Sequence, residues 1–315
     1  ILQTLKDNGK VHEVFKINHP YKSKKLVSDY SGHAAIGHTR YATSGDNEDQ
    51  LAQPFERPHG RKSKWFSIAF NGNLANYSKL KDGLEEVGYN MTYDSDTEVI
   101  MHFLSRELQS HKPWEKLNFT EIFANLVKDF DGSWNIAFLN ADGKMVVVRD
   151  PLGLRPLCYG IKDDLLVFAS ESVVLSNMQI EPIDLKPGEM IIVDDDHFEI
   201  KNYVNPVVNA KKRLFHNFKE SVSHCFFEWI YFSHLASVMD GESVYRVRER
   251  IGEGLAKEET LSLEGDDWIA VPVPESSYVA GAKYAQTTGM PYVQGLIKNH
   301  SVGRTFIDNT NRQYN

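Results

Sequence analysis

Between residues 30 and 193, short apolar runs alternate with polar turns, and this pattern predicts many short strands separated by a few helices. The runs with the length and composition of strands are residues 34–36, 65–70, 144–150 and 165–169. Apolar residues at helical spacing predict helices at residues 74–87, 97–108 and 114–130. The first part of the chain is therefore predicted to be rich in strands, with helices between them.

The second part of the chain has a different pattern. A helix is predicted at residues 243–258, a buried strand at 268–274 and a helix of small residues at 276–288. A buried strand followed by a helix and a further strand is typical of a parallel α/β unit. Residues 204–213 contain Asn205-Pro206 and a basic triplet, which indicate a linker. We therefore predict one domain at residues 1–204 and a second at 214–315.

Composition limits the classes of function. A chain of 315 residues with 41% hydrophobic residues has enough material for two ordinary cores. The net charge of −8 and the lack of a basic cluster with interleaved aromatic residues argue against nucleic-acid binding, and the longest apolar runs are too short to cross a membrane. With two cysteines and no signal-peptide pattern at Ile1, we expect no disulfide framework and a cytoplasmic location.

Three polar positions follow predicted strands or begin a helix. Arg40 follows the strand at residues 34–36, and its planar fork can hold a carboxylate through two hydrogen bonds. Asn71-Gly72 forms a predicted corner after the strand at 65–70, where an amide and a backbone N–H point outward like the donors of an oxyanion hole. Asp96 precedes a helix. The structural alternatives are a surface charge for Arg40, a hairpin turn for Asn71-Gly72 and an N-cap for Asp96.

These stretches occur in an order that resembles a known class of enzymes, the glutamine amidotransferases with an N-terminal nucleophile. The segments that carry this resemblance are residues 37–45, 71–73, 95–98, 149–157 and 169–172. The second half of the chain resembles the amidophosphoribosyltransferase family, which catalyses the first committed step of purine synthesis. The segments that carry this second resemblance are residues 227–232, 240–245, 271–276, 295–299 and 302–307.

The resemblance implies an α+β protein: a four-layer αββα glutaminase domain of the N-terminal-nucleophile fold, followed by part of an α/β type I phosphoribosyltransferase domain. It also implies roles for the polar positions. Arg40 and Tyr41 would bind the carboxylate side of free glutamine, and Asp96 would bind its ammonium. Asn71 and Gly72 would be the catalytic oxyanion donors. Ammonia released from glutamine would attack phosphoribosyl diphosphate to give phosphoribosylamine.

For the second domain, the resemblance implies a flexible loop that closes over the phosphoribosyl donor. The loop residues are Lys298, Asn299, Gly303 and Arg304, and Mg²⁺ would accompany the donor. The sequence departs from the usual family pattern at His300-Ser301 and at residues 234–236. Feedback by purine nucleotides and a homo-oligomer are expected from the same resemblance.

Some relatives bind an iron–sulfur cluster through cysteines, one of which corresponds to Cys225. One cysteine cannot supply the four thiolates of a cluster, so we expect a structural thiol at Cys225 and no metal site in this chain. Cys158, in a strand-like run, is also expected to be buried. We expect a buried ionic cluster of Arg149, Asp150 and Arg155 to fix the turn at residues 151–153. Glu171 is expected to be a scaffold carboxylate.

The family begins with a nucleophilic cysteine, whereas this sequence begins with Ile1. We therefore expect a fragment that lacks the first strand–helix unit and the second half of the transferase domain, and that is inactive in both half-reactions. Two alternatives stay open at this stage. One is another amidotransferase of the same class, such as a sugar-phosphate aminotransferase, and the other is a non-catalytic paralogue that binds glutamine or nucleotides.

Overall fold

The computed structural model describes residues 1–40, 51–112, 115–194, 197–204, 223–263 and 267–299. Within them, residues 1–153 and 186–204 form one compact unit, and residues 154–185 with 223–299 form another. Residues 154–185, which the sequence analysis placed in the first domain, thus group with the second unit. The predicted linker at 205–213 lies outside the described residues, so the domain limits at 204 and 214 stay predictions.

The first unit is built on a six-stranded antiparallel sheet. Its strands, in the spatial order β1-β2-β3-β4-β8-β9, are β1 (Phe55–Arg57), β2 (Phe66–Leu74), β3 (Gly132–Asn140), β4 (Met145–Arg149), β8 (Glu189–Asp194) and β9 (His197–Asn202). The helices of this unit are α1 (Val11–Val14), α2 (Pro20–Asp29), α3 (Tyr77–Glu86), α4 (Asp96–Ser110) and α5 (Phe119–Leu126). Helix α4 packs on β1 and β2, because its apolar side chains join those of the sheet in one core.

The strands of the second unit form two small antiparallel sheets. Strands β5 (Cys158–Lys162), β6 (Leu165–Ala169) and β7 (Ile183–Asp184) make a sheet in the order β6-β5-β7, and β10 (Val238–Met239) pairs with β11 (Glu242–Ser243). The helices are α6 (Ser172–Asn177), a π-helical segment (Glu228–Phe232), α7 (Val244–Lys257) and α8 (Tyr278–Thr288). Helices α7 and α8 cross closely at Gly252, where an added Cβ would lie 2.2 Å from the carbonyl oxygen of Ala280.

Two predicted strands are not formed. Residues 34–36 have no strand partner, and their backbone is irregular. At residues 268–274 the structure has only a single parallel bridge, between Ala270 and Tyr292. The parallel pairing has the predicted direction, but Pro272 and Pro274 lack the N–H groups that would extend the ladder. No helix in the described ranges is long and apolar enough to cross a membrane.

The predicted corner at Asn71-Gly72 is wrong. Strand β2 does not stop at Phe70 but continues through Leu74, and it pairs residue by residue with β3 as far as Gly132. Asn71 and Gly72 therefore lie inside a strand, and helix α3 begins later than predicted. The partner strand decides this outcome, because β3 supplies hydrogen bonds along the whole of β2 and overrides the local turn preference of Asn-Gly.

Candidate functional site

The last residues of β2 form an open strand edge. The Ala75 N–H donates to the Asp131 carbonyl, next to the end of β3, so odd-numbered residues here direct their backbone groups toward β3. Even-numbered residues face the opposite side because strand residues alternate. On that side the partner strand β1 begins at Phe55, opposite Ile68. The backbone of Gly72 therefore points to an edge that no strand of the described chain covers.

Two side chains occupy the ends of this edge. The Gln53 amide bonds both backbone groups of Phe70: its Oε1 accepts from the N–H at 2.6 Å, and its Nε2 donates to the carbonyl at 3.2 Å. The carboxylate of Asp96 accepts the Leu74 N–H. The Gly72 N–H lies between these two anchors, and among the described residues nothing accepts its hydrogen bond. The edge thus presents one backbone donor between an amide and a carboxylate.

Only glycine fits at position 72. A Cβ there would lie 2.1 Å from the carbonyl oxygen of Ser133 on the neighbouring strand. This contact is far shorter than carbon and oxygen atoms tolerate, so any side chain would separate β2 from β3. Asn71 is half-buried and makes contacts of its own within the protein. The assignment of its side-chain amide as an oxyanion donor stays a prediction.

Asp96 is the first residue of α4, and Ser95 occupies the N-cap position that the sequence analysis gave to Asp96. Burial raises the pKa of the Asp96 carboxyl. Hydrogen bonds from the backbone N–H groups of Leu74, Thr97 and Asp96 itself, together with the positive charge of Arg40, oppose that rise. The charge of Arg40 thus acts on the Asp96 carboxyl, as the smallest of these contributions. The assignment of the two residues to a glutamine clamp stays a prediction.

His38 lies close to Phe70 and within reach of the charge of Arg40. Its imidazole hydrogen-bonds the backbone of Phe70, and burial, with a smaller contribution from the charge of Arg40, lowers its pKa. Its Nδ1 is buried without a hydrogen-bond partner in the described part of the chain. Residues 38–40, the end of β2 and the start of α4 therefore meet in one place. The sequence analysis did not identify Gln53, since no motif or periodicity marks it.

Several predicted site residues cannot be located in the same way. Tyr41, Gly303 and Arg304 lie outside the described residues. Lys298 is described, and its ammonium lies 2.6 Å from a carboxylate oxygen of Glu275. Asn299 ends the last described segment and has contacts within the protein. The role of these residues in closing over a phosphoribosyl donor stays a prediction.

The two cysteines lie in different environments. Cys158 is 2% exposed in β5, and its thiol donates to the carbonyl of Ala169 at 3.3 Å, as a structural thiol would. Cys225 is half-buried, and its backbone N–H donates to the Leu154 carbonyl. In the described ranges no group of three or more histidine, cysteine or acidic residues could hold a metal ion.

The predicted ionic cluster at residues 149–155 divides between the two units. Arg149 and Asp150 are buried and hold the turn after β4, where Arg149 donates to the Gly153 carbonyl at 3.2 Å. The guanidinium of Arg155 pairs with Glu228, and both residues belong to the second unit. That partner is 73 residues away in sequence. The membership of Arg155 in the cluster with Arg149 and Asp150 stays a prediction.

Glu171 is a scaffold carboxylate, as predicted. Its Oε2 accepts from the backbone N–H of His234 at 2.7 Å and from the Ser237 hydroxyl at 2.8 Å. These bonds hold the segment that contains the departure at residues 234–236. The backbone N–H of His234 serves this contact whatever its side chain is.

Comparison with known proteins identifies the family of the chain. Residues 38–177 match the family model of a glutamine amidotransferase domain. The chain is 37% identical to the amidophosphoribosyltransferase of Methanothermobacter thermautotrophicus, over 95% of this chain and 56% of that relative. It is 38% identical to the enzyme of the same name from Archaeoglobus fulgidus, over 88% of this chain and 55% of that relative. The chain thus spans about half the length of the curated relatives it matches.

Two solved structures share its fold. The allosteric regulatory enzyme of purine biosynthesis superposes with a TM-score of 0.75 at 32% identity, over 94% of this chain and 57% of the other. The glutamine phosphoribosylpyrophosphate amidotransferase from B. subtilis, complexed with ADP and GMP, gives a TM-score of 0.67 at 32% identity, over 85% and 52%. They confirm the α+β class with an N-terminal-nucleophile glutaminase domain. The chain therefore belongs to the amidophosphoribosyltransferase family of class II glutamine amidotransferases.

Proposed function

We propose that the protein transfers ammonia from glutamine to phosphoribosyl diphosphate, giving phosphoribosylamine, glutamate and diphosphate in purine biosynthesis. The observation that carries this proposal is the open edge of β2. There the Gly72 N–H lies between backbone groups anchored by Gln53 and Asp96, and Asp96 lies within electrostatic reach of Arg40. The names of the relatives, all amidophosphoribosyltransferases, support the choice of acceptor.

The proposed glutamine site uses charge at one end of the substrate and hydrogen bonding at the other. Arg40, with Tyr41 beside it, holds the α-carboxylate, and Asp96 accepts from the α-ammonium. A glutamine residue inside a peptide lacks both charges, so the site selects the free amino acid. A nucleophile adds to the amide carbon, and Asn71 and the Gly72 N–H donate to the oxyanion that forms at the amide oxygen. When the carbonyl re-forms, the C–N bond breaks and the nitrogen takes up a proton and leaves as ammonia, with the glutamyl group left on the nucleophile.

In the proposed donor site, residues Lys298, Asn299, Gly303 and Arg304 close over the phosphoribosyl donor. In the structure the ammonium of Lys298 pairs with the carboxylate of Glu275, which the donor phosphates would have to replace. Mg²⁺ is proposed to arrive with the donor phosphates. The described residues provide no cluster of ligands for it, and no step is assigned to it. An iron–sulfur cluster at Cys225 is not proposed.

Three wider proposals accompany this function. Purine nucleotides are proposed as inhibitors, supported by the solved B. subtilis neighbour that carries ADP and GMP. A homo-oligomer and a cytoplasmic location are proposed from the family resemblance. The location is supported by the low cysteine content, two in 315 residues, which is typical of proteins from a reducing compartment.

The function is tested by following the amide nitrogen. A full-length protein that contains these residues is incubated with amide-¹⁵N-glutamine and either phosphoribosyl diphosphate or fructose 6-phosphate. We expect ¹⁵N in phosphoribosylamine and diphosphate release with the first acceptor only. Appearance of ¹⁵N in a hexosamine phosphate would assign the protein to the sugar-phosphate aminotransferases. No glutamate release with either acceptor would show that it is not an amidotransferase.

A further inference from the structure

The side-chain amide of Gln53 joins the strand of the candidate site to its helix. Besides its two bonds to the backbone of Phe70, its Nε2 donates to the Thr97 hydroxyl at 3.2 Å. Thr97 is buried in the first turn of α4, next to Asp96. One amide group thus makes three hydrogen bonds to two residues, Phe70 and Thr97, on elements that are distant in sequence.

The register of the sheet explains why a side chain takes this place. Phe55 pairs with Ile68, so a continued strand would set residue 53 opposite Phe70. Residue 54 is a proline, which has no N–H for a ladder. The Gln53 amide, with one acceptor and one donor side by side, bonds Phe70 as a backbone residue would. Gln53 thus supplies the last hydrogen-bonded pair on this side of β2, and the open edge begins after Phe70.

The hydrogen bonds from Gln53 to Phe70 and Thr97 form a bridge between β2 and α4. Each end of this bridge lies next to a group proposed to act on glutamine. Phe70 lies two residues before Gly72 along a rigid strand, and Thr97 follows Asp96 directly in α4. The bridge therefore fixes the distance between the oxyanion donor and the group that holds the substrate ammonium. Displacement of a reacting group by about 1 Å can lower a rate by about 100-fold.

We propose that Gln53 is a positioning residue for glutamine hydrolysis, which sets the Gly72 N–H at its working distance from Asp96. The inference rests on the proposed function. Gln53 acts through Phe70 and Thr97, and its amide groups are already used by these two partners. Removal of the bridge should therefore affect the transition state more than the binding of glutamine.

The test compares Gln53→Met with Gln109→Met in a full-length protein that contains these residues. Methionine keeps the length of glutamine but makes none of the three bonds, and Gln109 lies near the far end of α4. For Gln53→Met we expect the glutamine-dependent kcat to fall about 10- to 100-fold, with KM changed less than about threefold. The ammonia-dependent rate should be retained, and Gln109→Met should match the wild type.

A second pair of variants addresses the possibility that Gln53→Met fails to fold. Thr97→Val keeps the shape of threonine and removes one bond of the bridge, whereas Thr97→Ser keeps the hydroxyl and should restore the rate. We expect kcat to fall severalfold in the first and to remain near the wild-type value in the second. The melting temperature is measured for every variant.

Two results would overturn the inference. The first is an unchanged kcat in Gln53→Met together with a lowered melting temperature, because the three hydrogen bonds would then only stabilise the fold. If Gln53→Met does not fold, an unchanged kcat in Thr97→Val has the same meaning. The other is a wild-type protein that does not release glutamate from glutamine. Only that second result would also refute the proposed function, so the two failures can be told apart.

Discussion

Replacement of Asp96 by asparagine removes the charge that is proposed to hold the glutamine ammonium while keeping the shape of the side chain. The amide oxygen of asparagine can still accept the N–H of Leu74 or Thr97, so the start of α4 should keep its form. Burial raises the pKa of the Asp96 carboxyl, which means that the fold favours the neutral form. The protonated carboxyl stabilises the folded state at low pH, and this contribution is lost as pH rises through the raised pKa. At neutral pH the charged carboxylate adds no such stability, so Asp96→Asn should not lower the melting temperature there.

The expected loss of binding follows from the site's burial. Removing one partner of a desolvated charge pair typically costs about 2–5 kcal/mol. Because the Asp96 residue is partly exposed, we expect a value near the lower end, about 2 kcal/mol. At 1.4 kcal/mol for each tenfold change, this corresponds to about a 30-fold increase in the Kd for glutamine.

Isothermal titration calorimetry of the 315-residue chain with glutamine measures this change. Asp94→Asn is the matched control, because Asp94 is two residues away and exposed, and its partners are Tyr77 and Lys81. Its Kd for glutamine should stay within about twofold of the wild type, since exposed ion pairs contribute about 1 kcal/mol or less. An unchanged Kd in Asp96→Asn would refute the assignment of Asp96 to the ammonium.

The same titration repeated across pH gives a second readout. In the wild type, glutamine binding should weaken as pH falls through the raised pKa of Asp96, at a higher pH than an ordinary aspartate would show. Asp96→Asn should lose this dependence. A pH profile identical in both proteins would contradict the proposed contact.

Three further predictions concern catalysis and stability. In a full-length protein, Asn71→Ala should lower the glutaminase kcat by about 10²–10³ with little change in KM, measured by glutamate release; an unchanged kcat would exclude an oxyanion role. Gly252→Ala should lower the free energy of unfolding by about 1–3 kcal/mol, because its Cβ would meet α8, whereas Gly254→Ala, in open space, should raise it by up to about 1 kcal/mol in urea titrations. Lys64→Met should cost about 1 kcal/mol in the same assay, because the Lys64 ammonium bonds the carbonyls of Gln109 and His111 at the C-terminal end of α4, and exposed Lys62→Met should change it by less than about 0.5 kcal/mol.

Local patterns predicted several elements of both units. The apolar stripe at residues 97–108 gave helix α4 nearly to its ends, and the apolar runs gave strands β2, β4 and β6. Arg40 and Asp96 could be paired only through the family resemblance. Arg40 lies in an irregular segment and Asp96 begins α4 more than fifty residues later, so no local periodicity predicts that they are close.

The remaining features depend on contacts between distant parts of the chain. Asn71-Gly72 is locally a turn, and only pairing with β3 makes it a strand. The Gln53 bridge spans 17 residues to Phe70 and 44 to Thr97, and the salt bridge of Arg155 spans 73 to Glu228. Such partners are selected by packing, so they leave no signal in a local window.

The most direct test of the proposed glutamine site is a titration of the 315-residue chain with L-glutamine and with N-acetyl-L-glutamine, which has no ammonium. We predict that glutamine binds at least about tenfold more tightly than the acetylated form, that Asp96→Asn abolishes this difference, and that Arg40→Met weakens the binding of both ligands by removing the carboxylate contact. Arg106→Met, which removes an exposed arginine of α4, should bind like the wild type. Equal affinity of the wild type for both ligands, or unchanged glutamine affinity in Arg40→Met, would contradict a site built for free glutamine.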